Sequence, residues 1–341
     1  MFKKQYWLIL LLGAVFLTGC ASFSASSQAE DAGKLVIYSG RSESLVAPVI
    51  EQFSQASGVK VEVRYGNTSE LAATLLEEGE NSPADVFYAQ DPGGLGAVAN
   101  AGLLAPLPEE TLTKVDSRYR SAEGLWVGVS GRIRVVVYNT QSLQPEDLPA
   151  DLFGFTDPRW KGKIGWAPTN ASFQAMVTAM RQMWGEERTR EWLLGILANQ
   201  PVVFDGNTAI VEAVGRGEIE VGFVNHYYLY RFLREQGDSF PARNHFMNNG
   251  GPDSLVMVSG VARLAAGKNE ENALKFINFL LSPVAQQYFA SQTSEYPLVA
   301  GVQIQAGLTP LENLNAADIT VDQLADLEGT LNLLREAGVV P

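Results

Sequence analysis

The chain has 341 residues, enough for two lobes, and carries 25 lysines and arginines against 38 aspartates and glutamates, a formal charge of −13. That balance makes nucleic acid a poor partner; it suits a cationic ligand, and equally it is ordinary solubility. With one cysteine, neither a disulfide within the chain nor a thiolate-metal cluster can form.

Lys3 and Lys4 precede an apolar run over residues 7–17, the charged and apolar parts of an export signal and too short for a membrane span. The run ends Leu17-Thr18-Gly19-Cys20, which resembles the lipobox of bacterial lipoproteins. It predicts a signal peptide over 1–19, cleavage before Cys20 and lipid on that cysteine, with more than one acyl chain giving a stable anchor. Residues 20–33, rich in Ser, Ala and Gln, read as a flexible tether. Without Lys3 and Lys4, 23 basic residues face 38 acidic ones, a formal charge of −15. No second apolar run reaches spanning length, and no internal repeat is visible.

Strand and helix then alternate. Lys34-Leu35-Val36-Ile37-Tyr38-Ser39 is a buried-strand run, followed by a helix over 43–57. Residues 59–65 alternate apolar and polar, which predicts a strand. Ser69 is the expected cap of a helix through Glu78, with Gly79 at its end. Residues 84–88 and 135–138 are further strand runs, the second entered through Arg132 and Arg134. Thr169-Asn170-Ala171-Ser172 caps a helix to about Trp184, Ser282-Pro283 opens a short helix, and residues 321–337 read as an amphipathic helix. Repeated strand-helix units imply mainly parallel sheet with covered faces, whose ligands sit beyond the carboxyl ends of strands.

The most informative stretch is Asn225-His226-Tyr227-Tyr228-Leu229-Tyr230-Arg231, between a strand-like run at 219–224 and a helix-like run through Arg234. Adjacent helical residues point about 100° apart, so both rings reach one point only from the loop or an irregular first turn. Two converging phenol oxygens suit a hard, highly charged cation. Otherwise one ring packs in the core and the other lies on the surface.

Six segments in order resemble the ferric-ion-binding periplasmic proteins, extracytoplasmic receptors of iron ABC importers. They are Val36-Ile37-Tyr38-Ser39-Gly40-Arg41, Ser82-Pro83-Ala84-Asp85-Val86-Phe87-Tyr88, Gly131-Arg132-Ile133-Arg134-Val135, Asp157-Pro158-Arg159-Trp160-Lys161-Gly162, Asn225-His226-Tyr227-Tyr228 and Ser254-Leu255-Val256-Met257-Val258-Ser259-Gly260-Val261. The resemblance covers residues 35 to about 301. It implies an α/β, two-lobed periplasmic-binding-protein fold with hinge strands and a ligand cleft between lobes. The expected lobes are 34–134 plus 259–309, and 135–258 plus 310–341. It also implies capture of ferric iron and an ABC permease as partner. With the acidic charge, which excludes nucleic acid, and the lipobox, the expectation is a monomer held at the membrane through Cys20, in a periplasm or on the outer face of the cell membrane.

Tyr227 and Tyr228 match the family's paired tyrosine ligands. Ferric iron would displace their protons, so binding should weaken in acid. Many members have histidine at the place of Ser42 and glutamate at that of Gln90; others have a third tyrosine near Phe173. All three are missing here. Glu43 and Gln90 are the remaining metal-ligand candidates, although Glu43 equally reads as a first-turn carboxylate favoured by the helix dipole. Asp91 is a weaker or water-mediated candidate, Tyr230 reads as packing, and His226 as a hydrogen-bonding residue rather than a ligand. The shell is expected to be completed by carbonate or phosphate. Candidates to hold the anion are Arg41, Arg132, Arg134, Asn225 and the helix start at Asn170, Ala171 and Ser172. For each arginine, surface ion pairing is the competing reading.

Other solutes of the same fold remain open: an oxyanion, an organic cation such as a polyamine or thiamine, or a divalent metal. No nucleophile elbow, phosphate-binding loop or zinc-ligand spacing supports an enzyme.

Overall fold

The computed structural model describes residues 33–306, 308–320 and 322–341. The signal peptide, Cys20 and nearly all of the tether lie outside the described residues. The first apolar run forms β1 (Lys34–Ser39), and α1 (Glu43–Ser57) follows with Val46, Val49, Ile50 and Phe53 buried at helical spacing. Gly58 ends α1 at φ 75°, in the left-handed region. After β2 (Lys60–Tyr65), α2 (Thr68–Glu78) starts one residue before the expected cap. Asn67 takes the cap position instead of Ser69, and the Thr68 hydroxyl accepts from the Gln90 N–H at 2.9 Å. β3 (Val86–Ala89), α3 (Pro92–Asn100), β4 (Leu104–Ala105) and α4 (Glu109–Leu112) complete this part.

β5 (Trp126–Asn139) is much longer than the run at 135–138 foretells: it has 14 residues and is buried throughout. Then come β6 (Ile164–Trp166), α5 (Ala171–Trp184), α6 (Glu186–Ala198), β7 (Val202–Val203), α7 (Asn207–Gly215), β8 (Val221–Asn225) and α8 (Tyr227–Gln236). The chain continues through β9 (Ala242–His245), β10 (Val256–Leu264), α9 (Glu270–Leu280), α10 (Pro283–Tyr288) and β11 (Tyr296–Pro297) to α11 (Leu327–Glu336).

The helix expected over 321–337 is therefore shorter. Asp326 caps it by accepting from the Gly329 N–H, and Leu324 is buried before it against Ala175, Ala179, Leu255 and Met257.

The strand order is β2-β1-β3-β10-β5-β8-β6-β7. The outer strands pair in parallel, as expected, but β10 and β5 are antiparallel to each other and to their neighbours, so the sheet is mixed. Residues 126–133 of β5 pair with β10; residues 134–138 pair with β8. The change of partner falls between Ile133, opposite Val256, and Arg134, opposite Asn225. One apolar cluster centres on Phe53, Phe87, Trp126 and Phe276. Another contains Trp160, Trp166, Phe173, Trp192 and Phe223, and a third contains Ile210, Val211, Val224 and Leu229.

Asp85 ties the first part together. Its buried carboxylate accepts from the Val36 N–H at 2.8 Å and from the Asn269 N–H at 2.9 Å, and its own N–H donates to the Val36 carbonyl. Asp85→Ala would leave those donors buried and unpaired. Urea unfolding should show a loss of about 3 kcal/mol.

Candidate functional site

Four strand ends face one cavity of about 470 Å³. β1 leads into Gly40 and Ser42, β3 into Gln90 and Asp91, β6 toward Thr169, Asn170 and Ala171, and β8 toward Tyr228. This is the carboxyl-end placement that strand-helix units dictate. At Gly40 a Cβ would lie 2.1 Å from Thr68 Oγ1 and 2.9 Å from Thr68 Cα, so only glycine allows α2 this close.

Tyr227 is the first residue of α8, with His226 in the cap position. In this first turn the two tyrosine rings stack, centroids 4.3 Å apart and planes at 26°. Tyr227 is buried, and its phenol oxygen meets no polar group of the protein other than the neighbouring Tyr228 phenol. Tyr228 lines the cavity. Burial, and then the charge of Tyr227, raise its phenol well above 10, while Arg41 and Arg132 pull it back. At neutral pH that phenol carries its proton, so a cation binding there must displace it.

All three candidate arginines are buried rather than engaged in surface ion pairs. Arg132 and Arg134 lie two apart on β5 and so share a face. Arg132 donates through Nη2 to the Gln90 carbonyl. Burial, then Arg41, lower its pKa. Arg134 shares its Nη1 hydrogens among Ser172 Oγ (3.2 Å), Asn207 Oδ1 (3.2 Å) and Asn225 Oδ1 (3.1 Å). Burial pulls its pKa down to about 9, which still leaves it charged at pH 7. Burial is the largest influence on the Arg41 cation and disfavours it, but Glu295, with Tyr88, Tyr227 and Tyr228 added, raises its pKa overall. Both Glu295 carboxylate oxygens accept from Nη2, at 2.8 and 2.7 Å.

Two nitrogens of each guanidinium remain without a protein partner, as does Asn225 Nδ2. Buried donors left unpaired are costly. The three guanidiniums lie near enough to Tyr227 or Tyr228 to feel their charge, but none of them, nor Asn225, lines the cavity itself. Among the described residues, no group of three His, Cys, Asp or Glu side chains is placed to hold a metal.

The start of α5 works through its cap. Asn170 Oδ1 accepts from the Ser172 N–H (3.1 Å), the Ser172 hydroxyl (2.6 Å) and Asn207 Nδ2 (3.2 Å). Asn207 Oδ1 also accepts from the Asn225 N–H at 3.0 Å. One amide thus joins the α5 cap, Arg134 and the residue ahead of the tyrosine segment. Ala171 lines the cavity beside it.

His226 packs its ring near Tyr227 and Tyr296. Nδ1 accepts from the Ile133 N–H at 3.2 Å, so Nε2 carries the proton and donates to the Ser294 carbonyl at 2.8 Å. The ring is therefore a neutral brace between β5, α8 and residue 294.

Several candidates are not brought in. Glu43 is exposed in the first turn of α1, outside the cavity lining, and its charge is felt by Tyr65. Ser42, Gln90 and Asp91 do line the cavity. Asp91 Oδ1 caps α3 through Gly93, while Oδ2 has no partner. Burial raises the Asp91 pKa, with Arg132 opposing. Tyr230 packs in an apolar cluster. Phe173 is in the core, its ring 5.5 Å from that of Trp166, so its position does not present a ligand to the cleft.

Three residues escaped sequence reasoning. Glu295 is 254 residues from Arg41, Asn207 sits in an unremarkable helix start, and the Tyr88 phenol is buried near Arg41 and pushed up to about 12 by burial. No local periodicity points to any of them. The one local hint is Ser294, a non-glycine residue at φ 57° beside Glu295.

Two outcomes follow from this geometry. Burial holds His226 down at about 4, against an ordinary 6.5. The unfolded chain therefore takes up a proton that the folded one refuses as pH falls from 6.5 toward 4, and stability drops across that window, by on the order of 3 kcal/mol. Denaturation of the metal-free protein from pH 7 to pH 4 should show that slope, and His226→Gln should flatten it. Phe173→Tyr should add no metal ligand. It should cost about 1–3 kcal/mol by burying a hydroxyl, with ferric affinity unchanged in a chelator competition.

Residues 81–317 match the bacterial extracellular solute-binding protein family. The major ferric iron-binding protein of Neisseria meningitidis serogroup B is 34% identical over 308 residues, covering 89% of this chain and 93% of its own. The Fe(3+)-binding periplasmic protein of Serratia marcescens is 33% identical over 321 residues, covering 94% of each. The crystal structure of iron-bound HitA from Pseudomonas aeruginosa aligns with a TM-score of 0.86 at 34% identity, over 89% of this chain and 99% of that one. A chain with this sheet order, a stacked tyrosine pair at the cleft and these relatives belongs to the bacterial extracellular solute-binding proteins, in their ferric-ion-binding branch.

Proposed function

We propose that this protein captures ferric iron outside the cytoplasm, through Tyr227 and Tyr228, together with an oxyanion such as carbonate or phosphate. The observation that carries this reading is the stacked phenol pair beside three buried guanidiniums. Ferric iron takes about six donors and favours hard anionic oxygens, and two phenolates leave most of its shell to be filled. A chelating oxyanion supplies oxygens to the metal while its remaining oxygens accept from Arg41, Arg132, Arg134 and Asn225. The start of α5, at Asn170, Ala171 and Ser172, flanks the same cavity. Gln90 and water are the remaining donors. Glu43, exposed outside the cavity, has no part in this assignment.

Residues 34–134 plus 259–309, and residues 135–258 plus 310–341, act as the two lobes that close on the ion. The clusters around Phe53 and around Trp192 fall on either side of the β5 partner change, in keeping with that division, while the third joins Ile133, Tyr296 and Leu308 to Val135 and Val224 across it. An ABC permease receives the iron from the monomeric receptor, which lipid on Cys20 holds at the membrane.

The test is a visible absorption titration of metal-free mature protein with ferric iron from a weak chelate. A coloured tyrosinate band should saturate at one equivalent. Tyr227→Phe and Tyr228→Phe should each lower affinity by at least about a hundredfold, the upper end of what losing a mere supporting contact costs. Full affinity in both variants rejects the site. Oxyanion binding with no iron binding would make the protein an oxyanion receptor of the same fold.

A further inference from the structure

The Glu295 carboxylate is paired with Arg41, one of the arginines assigned to the anion, yet no part of the iron chemistry requires it. Its side chain and that of Arg41 are both fully buried. Both its oxygens bind one nitrogen, Nη2, which leaves Arg41 Nε and Nη1 without a protein partner. The loop holds the residue: the Thr293 hydroxyl shares its one hydrogen between Glu295 Oε2 at 2.9 Å and the Phe289 carbonyl at 2.8 Å, and the Glu295 N–H donates to that carbonyl at 3.1 Å. The preceding residue, Ser294, accepts from His226 Nε2 on its carbonyl and from Arg234 Nη1 on its hydroxyl, at 2.8 and 2.9 Å. Two consecutive residues of one loop thus hold Arg41 on one side and the residue ahead of the tyrosine pair on the other.

We infer that Glu295 is a positioning residue that clamps Arg41 through Nη2, presenting its other N–H groups to the anion that accompanies the metal. The inference rests on the anion reading given above. An arginine with three free nitrogens would lose side-chain freedom on each binding event; one held beforehand does not. The clamp and a plain counter-charge predict opposite signs. Removing a negative charge from a cationic site should tighten anion binding by electrostatics alone. Removing a clamp should loosen it.

The experiment measures ferric affinity of the mature protein by competition with a weak chelator, with and without inorganic phosphate, in wild type, Glu295→Gln, Arg41→Gln and the double variant. In wild type, phosphate should raise the affinity. In Glu295→Gln that enhancement should fall about tenfold, and in the Arg41→Gln background Glu295→Gln should change it no further. An enhancement in Glu295→Gln equal to or above wild type overturns the clamp while leaving the anion reading standing. No enhancement in wild type, with phosphate or carbonate, overturns both. If Glu295→Gln does not fold, nitrogen-15 spectra of the wild type decide. A clamped Arg41, assigned by its loss in Arg41→Gln/Glu295→Gln, should show separate Nη1 and Nη2 signals before phosphate is added, and averaged signals overturn the clamp.

Discussion

Three guanidinium groups are buried at one cleft, and Glu295 is the one carboxylate that forms an ion pair with any of them among the described residues. A buried charge is costly unless it is paired and hydrogen-bonded. Arg41 meets that condition through Glu295. Arg134 meets it partly, through two amides and a hydroxyl, and Arg132 least, through a single backbone carbonyl. The excess of cation over anion is a standing demand for negative charge, and the rest of the site is arranged around it.

The same cations act on the phenols. Burial alone would make Tyr228 a very weak acid; Arg41 and Arg132 oppose that. They therefore favour the phenolate that a trivalent metal bound there would need, while the raised net pKa keeps the proton in place without one. A weakly polarising cation gains too little from a phenol to displace that proton, so the buried pair favours high charge density. His226 stays out of this exchange. Both its nitrogens are used by the backbone of Ile133 and Ser294, so it fixes the start of α8 without competing for metal.

The parts legible in the sequence were the local ones. Adjacent tyrosines after a strand, the cap at Asn170 and the short helix after Ser282 follow from spacing and capping chemistry, and the structure has the strand, the cap and the helices there. Helix geometry allows the two rings to converge only from the loop or an irregular first turn, and the pair sits in the first turn. What failed was long-range. Val135–Tyr138 alone gave no sign that the strand began at Trp126, because Gly128, Ser130, Arg132 and Arg134 break the apolar run although all are buried. The Arg41–Glu295 pair spans 254 residues, beyond any periodicity. Burial of arginine is a property of the whole cleft, and composition argues against it.

The position of the arginines on β5 gives the change of partner strand a functional meaning. Arg132 belongs to the stretch that pairs with β10, where it lies opposite Met257; Arg134 belongs to the stretch that pairs with β8, opposite Asn225. Their guanidiniums share a face but answer to different halves of the sheet. Any change in the angle between those halves alters the spacing of the two guanidiniums. A ligand shifts such an equilibrium only by as much as its affinity differs between the two states. An oxyanion bridging both guanidiniums has that difference built in, because it binds best at one spacing. A metal held by Tyr227 and Tyr228 alone does not, since both tyrosines ride on one helix in one half. On the proposed reading, an anion bridging both guanidiniums would be the component that selects the angle, and a metal held by the tyrosines alone would not.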